Sequence, residues 1–144
     1  MGFGRIARAT LKRLIAFGVT NCIYATNPNK PADPARDAME LSTHALQDSL
    51  HSIRRVNLDE VARESDVLFV LTPGGTDTRH LINEAFLKKM KKTSVLVNTS
   101  RGSVVDSDAL AKALAEEWIW GAGLDVVEGE PQITKDHPLV KEPK

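Results

Sequence analysis

A chain of 144 residues, 42% hydrophobic and 26% charged, holds enough apolar material for one domain with a core. Nineteen basic residues balance nineteen acidic ones, which excludes an overall field drawing the protein to nucleic acid or to an anionic membrane, so binding has to come from a local site. The single cysteine, Cys22, excludes an internal disulfide framework and a cysteine metal cluster, and no stretch approaches the roughly 18 consecutive apolar residues of a membrane span. The N-terminus lacks the charged-then-apolar layout of a signal peptide, so a reducing, cytoplasmic setting fits best. The chain opens abruptly on a glycine motif and stops in a Lys-Glu-Pro-Lys tail, and truncation at both ends is the expectation.

From Arg5 to Phe17, Ala7, Leu11, Leu14 and Ile15 share one helical face, and Gly18 stands where a left-handed C-terminal cap belongs. Cys22 to Ala25 is a short β-prone run that ends in Thr-Asn-Pro-Asn, after which Pro28, Pro31 and Pro34 hold a loop. Ala38, Leu41, Ala45, Leu46 and Leu50 recur at helical spacing, so a helix is predicted between Pro34 and Leu50, with a short strand at Ile53 to Val56. Asn57 with Glu60 is a capping box opening a helix through Val61 and Ala62, and Val67 to Leu71 reads as a strand covered on both faces. A helix from Asn83 to Met90, a buried strand from Val95 to Asn98, a helix capped by Asp106 that carries Leu110, Ala113 and Leu114, and a strand from Gly121 to Val126 complete the series. Alternation of strands and helices predicts an α/β fold with a parallel, doubly wound sheet, without internal repeats or an interdomain linker.

The chain's opening, Gly2-Phe3-Gly4-Arg5-Ile6-Ala7, has the form G-x-G-x-x-A and runs straight into the first helix. Bare amides and the positive helix end can hold a pyrophosphate there, with Gly2 permitting a tight turn and Gly4 a close approach. Such a motif also arises from a turn and close helix packing alone. A strand follows the helix at the spacing of a βαβ unit, so the fold is expected to be of the Rossmann type and incomplete, because the strand that should precede the glycines is absent. Its loss should leave two neighbouring strands with unpaired backbone groups. Gly2, Gly4, Arg5 and Ile6 are thus candidate cofactor-binding residues. At the end of the second strand a carboxylate usually receives the adenosine ribose of NAD; here Ala25-Thr26-Asn27-Pro28-Asn29-Lys30 has none. Thr26, Asn27 and Lys30 can donate to a 2′-phosphate, which favours NADP over NAD, against the plainer reading of a polar turn. NAD stays open.

The strand Val95-Leu96-Val97-Asn98 runs into Thr99-Ser100-Arg101-Gly102, so Arg101 falls at the carboxyl edge of the sheet, where α/β folds place ligands. A guanidinium there can take a carboxylate in a bidentate fork and polarise a neighbouring carbonyl; an ordinary surface arginine is the alternative. Further on come Gly121-Ala122-Gly123-Leu124-Asp125-Val126, Glu128-Gly129-Glu130-Pro131 and His137-Pro138-Leu139.

Together these segments resemble the D-isomer-specific 2-hydroxyacid dehydrogenases, and within them the glyoxylate and hydroxypyruvate reductases. The resemblance runs from Gly2 to about Leu139 and is most specific from Val95 to Pro131. It implies that residues 1–144 are a partial NAD(P)-binding domain, with the substrate domain built from segments on both sides of this one. It also implies that Arg101 is the substrate-binding and catalytic arginine, that Glu130 holds the catalytic histidine and raises its pKa, and that Asp125 faces the nicotinamide. Leu71, Thr72, Pro73 and Thr99 match cofactor-lining positions. The implied reaction is hydride transfer from NADPH to a small 2-oxoacid such as glyoxylate or hydroxypyruvate, giving the D-2-hydroxy acid, in a homodimer formed through this domain. A non-catalytic nucleotide-binding module, redox-sensing or corepressor-like, is the alternative.

The family's proton donor is a histidine expected beyond Leu139; His44, His51, His80 and His137 do not match it and read as surface or packing histidines. Gly74-Gly75 stands where the family tends to have Leu-Thr. Glu117-Trp118-Ile119-Trp120 stands where a glycine usually ends the helix, and both tryptophans are read as packing residues.

Overall fold

A computed structural model describes residues 1–26 and 50–141. The helix expected between Pro34 and Leu50, with Asn27, Lys30 and His44, lies outside the described residues. Helix α1 (Arg5–Ile15) buries Ala7 and Leu11, and Gly18 ends it at φ +87°, the left-handed conformation expected of it. Strand β1 (Asn21–Tyr24) pairs in parallel with β2 (Ser52–Arg55), Asn21 beside Ser52 and Tyr24 beside Arg55. Helix α2 (Leu58–Glu64) opens on the complete capping box: Asn57 Oδ1 accepts from the Glu60 amide and Glu60 Oε2 from the Asn57 amide.

Strands β3 (Val67–Val70), β4 (Val95–Asn98) and β5 (Gly121–Leu124) form a second parallel ladder in which Val95 lies between Val67 and Gly121. Helix α3 (Glu84–Leu87), shorter than its pattern suggests, is capped by the Asn83 side chain, and α4 (Ser107–Ala115) by Asp106, whose carboxylate accepts from the Ala109 amide. After α4, Glu117 takes φ +57°, the left-handed position that a glycine would occupy without strain. A short helix, α5 (Pro138–Lys141), was not evident from the sequence.

The main core is assembled from Leu68 and Val70 of β3, Leu96 of β4, Val61 and Ala62 of α2, Phe86 and Leu87 of α3, and Leu110, Ala113 and Leu114 of α4. Trp118 packs on its edge with Lys88 and Lys112 over the ring, whereas Trp120 is 71% exposed and is not the packing residue expected. A smaller cluster of Phe3, Ala7, Leu11, Tyr24 and Leu50 holds α1 to β1, with the Phe3 and Tyr24 rings stacked 4.1 Å apart.

Among the described residues the two ladders do not join, and a cleft of about 490 Å³ separates β1 from β3. Among the described residues the backbone of Met1 and Gly2 spans it, and Arg54 of β2 pairs with Glu64 of α2 at its rim. The Met1 amine donates to Phe69 O, the Leu71 amide to Met1 O (2.8 Å), and the Gly2 amide to Ala25 O (2.8 Å). Two of these bonds are one rung of a parallel ladder on β3, and the third reaches the end of β1. The gap expected from the sequence is thus present, and it leaves Val67, read as covered on both faces, half exposed. Burial beside this crossing raises the pKa of the Cys22 thiol.

Candidate functional site

The described residues among those singled out from the sequence gather at the carboxyl ends of β1, β3, β4 and β5, which the parallel ladders bring to one edge. Gly2 turns at φ +82°, and a Cβ on it would lie 2.9 Å from the Leu71 carbonyl and the Thr72 nitrogen. Only glycine lets the chain pass so close to the end of β3. Gly4 precedes α1 with no side-chain cap and no acidic residue in the first turn, and a Cβ placed on it meets no protein atom within 4 Å. The first turn of α1 therefore presents uncapped amides to open space, which suits a pyrophosphate. Arg5 and Ile6 are exposed beside that opening.

From Gly2 the contacts run on. Thr72 is buried, Pro73 and Gly74 are exposed, and the Thr78 hydroxyl closes their loop by donating to Pro73 O (2.8 Å). A Cβ on Gly74 would lie 2.7 Å from Arg101 Cγ, so the Arg101 stem occupies the space that a side chain at position 74 would need. That is a physical reason for a glycine where leucine was the family tendency. Arg101 is exposed, and its Nη1 donates to Ser100 O (2.7 Å). Thr99 is exposed beside it. Gly102 lies so close to the next loop that a Cβ would fall 2.0 Å from the Val127 carbonyl carbon. Asp125, exposed, follows β5 with its amide donating to Asn98 O (3.0 Å), and Glu130 turns back to accept from the Val127 amide (3.1 Å).

Two contributors escaped the sequence reading. Asn98, buried at 1% exposure, donates to Arg101 O and accepts from the amide and hydroxyl of Ser100, which shapes the turn that aims Arg101. Arg55, at the end of β2, donates to the Thr26 hydroxyl. A cation thus stands beside the end of β1, supplied by the neighbouring strand rather than by the segment that follows β1. Of the histidines, His137 Nδ1 accepts from the Leu139 amide within its turn, His51 is exposed, and His80 faces Glu128. No described group of His, Cys, Asp and Glu side chains could hold a metal ion. Among the described residues no helix is long and apolar enough to cross a membrane.

The family model described as "D-isomer specific 2-hydroxyacid dehydrogenase, NAD binding domain" matches residues 1–144. The chain belongs to this family. A glyoxylate reductase of Thermofilum pendens is 42% identical over 141 residues, which is 98% of this chain and 37% of the relative. The chain therefore spans little more than a third of the length of such relatives. Among solved structures, an NAD-dependent formate dehydrogenase of Staphylococcus aureus in complex with NAD superposes with a TM-score of 0.77 at 34% identity, covering 99% of this chain and 38% of that one. An NADPH-dependent glyoxylate/hydroxypyruvate reductase of Sinorhizobium meliloti in complex with NADP and malonate superposes at 0.75, also at 34% identity, covering 98% and 38%. These neighbours carry different nucleotides, so membership in this dehydrogenase family leaves the choice between them to local chemistry.

Proposed function

We propose that this chain is the nucleotide-binding part of a reductase that acts on a small 2-oxoacid, such as glyoxylate or hydroxypyruvate, with NADPH preferred over NADH. The observation that carries the reading is the unbroken series of contacts along one sheet edge, from Gly2 on Leu71 and Thr72, through Gly74 on Arg101, to Gly102 on Val127 and Glu128. Gly2, Gly4 and the first turn of α1 would hold the pyrophosphate of a dinucleotide laid along that edge, with Arg5 and Ile6 beside it. Leu71, Thr72, Pro73 and Thr99 would line the path toward its nicotinamide end, with Asp125 facing the ring.

A reduced nicotinamide bound there would supply the hydride for the carbonyl carbon of the 2-oxoacid, with a proton on the oxygen completing the D-2-hydroxy acid. Arg101 takes the substrate carboxylate in its fork and stabilises the charge that develops on oxygen. Glu130 is the group that would hold and tune the proton donor. The NADPH preference rests on Thr26, Asn27 and Lys30, with the Arg55 cation at Thr26 adding a favourable field for a 2′-phosphate. Self-association through this part of the protein belongs to the same proposal, and the exposed Phe17 and Trp120 are apolar surface that it can cover.

The test is oxidation of NADPH by glyoxylate and hydroxypyruvate, followed in the protein isolated from its host, with Arg101→Lys alongside. Turnover that falls by a hundredfold or more in Arg101→Lys supports the reading, since a lysine cannot present the planar fork. Nucleotide binding without turnover of any 2-oxoacid overturns it in favour of a non-catalytic binding module.

A further inference from the structure

Segment 78–82 has no part in the chemistry above, yet it is bound firmly to the turn that follows Arg101. The His80 amide donates to Ser103 O (2.8 Å), the Ile82 amide to Val104 O (3.0 Å) and the Asp106 amide to Ile82 O (2.9 Å). From this rail two side chains reach across to the loop that follows β5. Arg79 Nη2 lies 2.7 Å from Glu128 Oε1, and His80 Nε2 lies 2.7 Å from Glu128 Oε2, so both oxygens of one carboxylate are engaged. The other ring nitrogen of His80 is 3.8 Å from Asp106 Oδ2, which places the imidazole between two acids. His80 holds this position at φ +49°, a left-handed backbone that a residue with a side chain rarely adopts.

The gripped loop lies against the Gly102 backbone and carries Asp125 on one side of Glu128 and Glu130 on the other. Neither Asp125 nor Glu130 is buried. Their placement relative to Arg101 therefore depends on whatever ties the loop down.

We propose that Arg79 and His80 are positioning residues that clamp Glu128 and so hold Asp125 and Glu130 in register with Arg101. The proposal rests on the reductase reading for its catalytic consequence, but the clamp can be measured without it. Glu128 is only partly exposed and is engaged at both oxygens, so its loss releases more than a single surface ion pair does.

The experiment is amide hydrogen exchange, read by mass spectrometry on peptides covering 125–131 and, as an internal reference, β4, in wild type, Glu128→Ala, His80→Ala and His80→Gln. Exchange across 125–131 should rise about tenfold in the two alanine variants while β4 is unchanged, with most of the protection restored in His80→Gln, whose amide can still donate to Glu128. Should either alanine variant fail to fold, His80→Gln and Glu128→Gln are compared instead, and Glu128→Gln, which keeps an acceptor for only one donor, should lie between wild type and full release. In the two alanine variants kcat for 2-oxoacid reduction should fall about tenfold, with most of it restored in His80→Gln, while the NADPH dissociation constant stays within twofold, a split that general destabilisation would not produce. Unchanged exchange at 125–131 in Glu128→Ala, or a rise of equal size in β4, overturns the clamp. Faster loop exchange in a protein that reduces no 2-oxoacid upholds the clamp and overturns the reductase reading alone.

Discussion

In the β3–β4–β5 ladder, Leu68, Val70 and Leu96 are sealed beneath α2, α3 and α4, and most of the fully buried side chains among the described residues lie in this half. The β1–β2 pair rests on a cluster of Phe3, Ala7, Leu11, Tyr24 and Leu50, and its inner edge faces a cleft. Both halves carry candidate site residues, but of different kinds. Arg101, Asp125 and Glu130 ride on the densely packed half, while α1 and the end of β1, where a dinucleotide would lie, ride on the sparse one. Met1 and Gly2 supply the backbone bonds that couple the halves. A well-packed scaffold is what holds reacting groups in place, and a weakly coupled one is where local opening begins.

The widest contrast is expected between equivalent truncations in the two cores. Leu96→Ala should cost about 2–5 kcal/mol by chemical denaturation, as for a fully enclosed leucine. Leu11→Ala, which removes methylenes already bordering the cleft, should cost about 1–2 kcal/mol. Equal costs would remove the distinction.

A smaller effect is expected at the turn before Arg101. Asn98→Ala leaves the Ser100 amide and the Arg101 carbonyl without their side-chain partner, at about 1–3 kcal/mol, and it should weaken carboxylate binding without altering nucleotide affinity. Isothermal titration with a 2-oxoacid analogue in the presence and absence of nucleotide separates the two.

Local signals in the sequence were sufficient for elements whose cause is local. The Gly18 cap, the Asn57–Glu60 box and the Asp106 cap each depend on residues within one turn of one another, and each stands where its spacing put it. The place of Arg101 just past the end of β4 was legible for a related reason, since a buried strand that breaks into polar residues marks a sheet edge. What was not legible depends on residues that meet only once the chain has folded. Arg55 reaches Thr26 from the adjacent strand, His80 and Arg79 meet Glu128 from 48 positions away for the histidine, and Arg101 fills the space above Gly74. Glu117 in the left-handed conformation ran against its residue type, because the chain turns back there into β5 whatever residue stands at that position.

The most direct test of the dinucleotide site is a fluorescence titration of the chain and its Gly4→Val variant with NADPH and, separately, with NADH, with circular dichroism alongside. Because a Cβ at position 4 meets no protein atom within 4 Å, the variant should fold as wild type does, and the added side chain should obstruct a ligand on the first turn of α1. The expected result is saturable binding that favours NADPH in wild type and is at least tenfold weaker in a normally folded Gly4→Val. Equal affinity in the two proteins, or no binding by a folded wild type, would contradict a dinucleotide held at Gly2, Gly4 and α1.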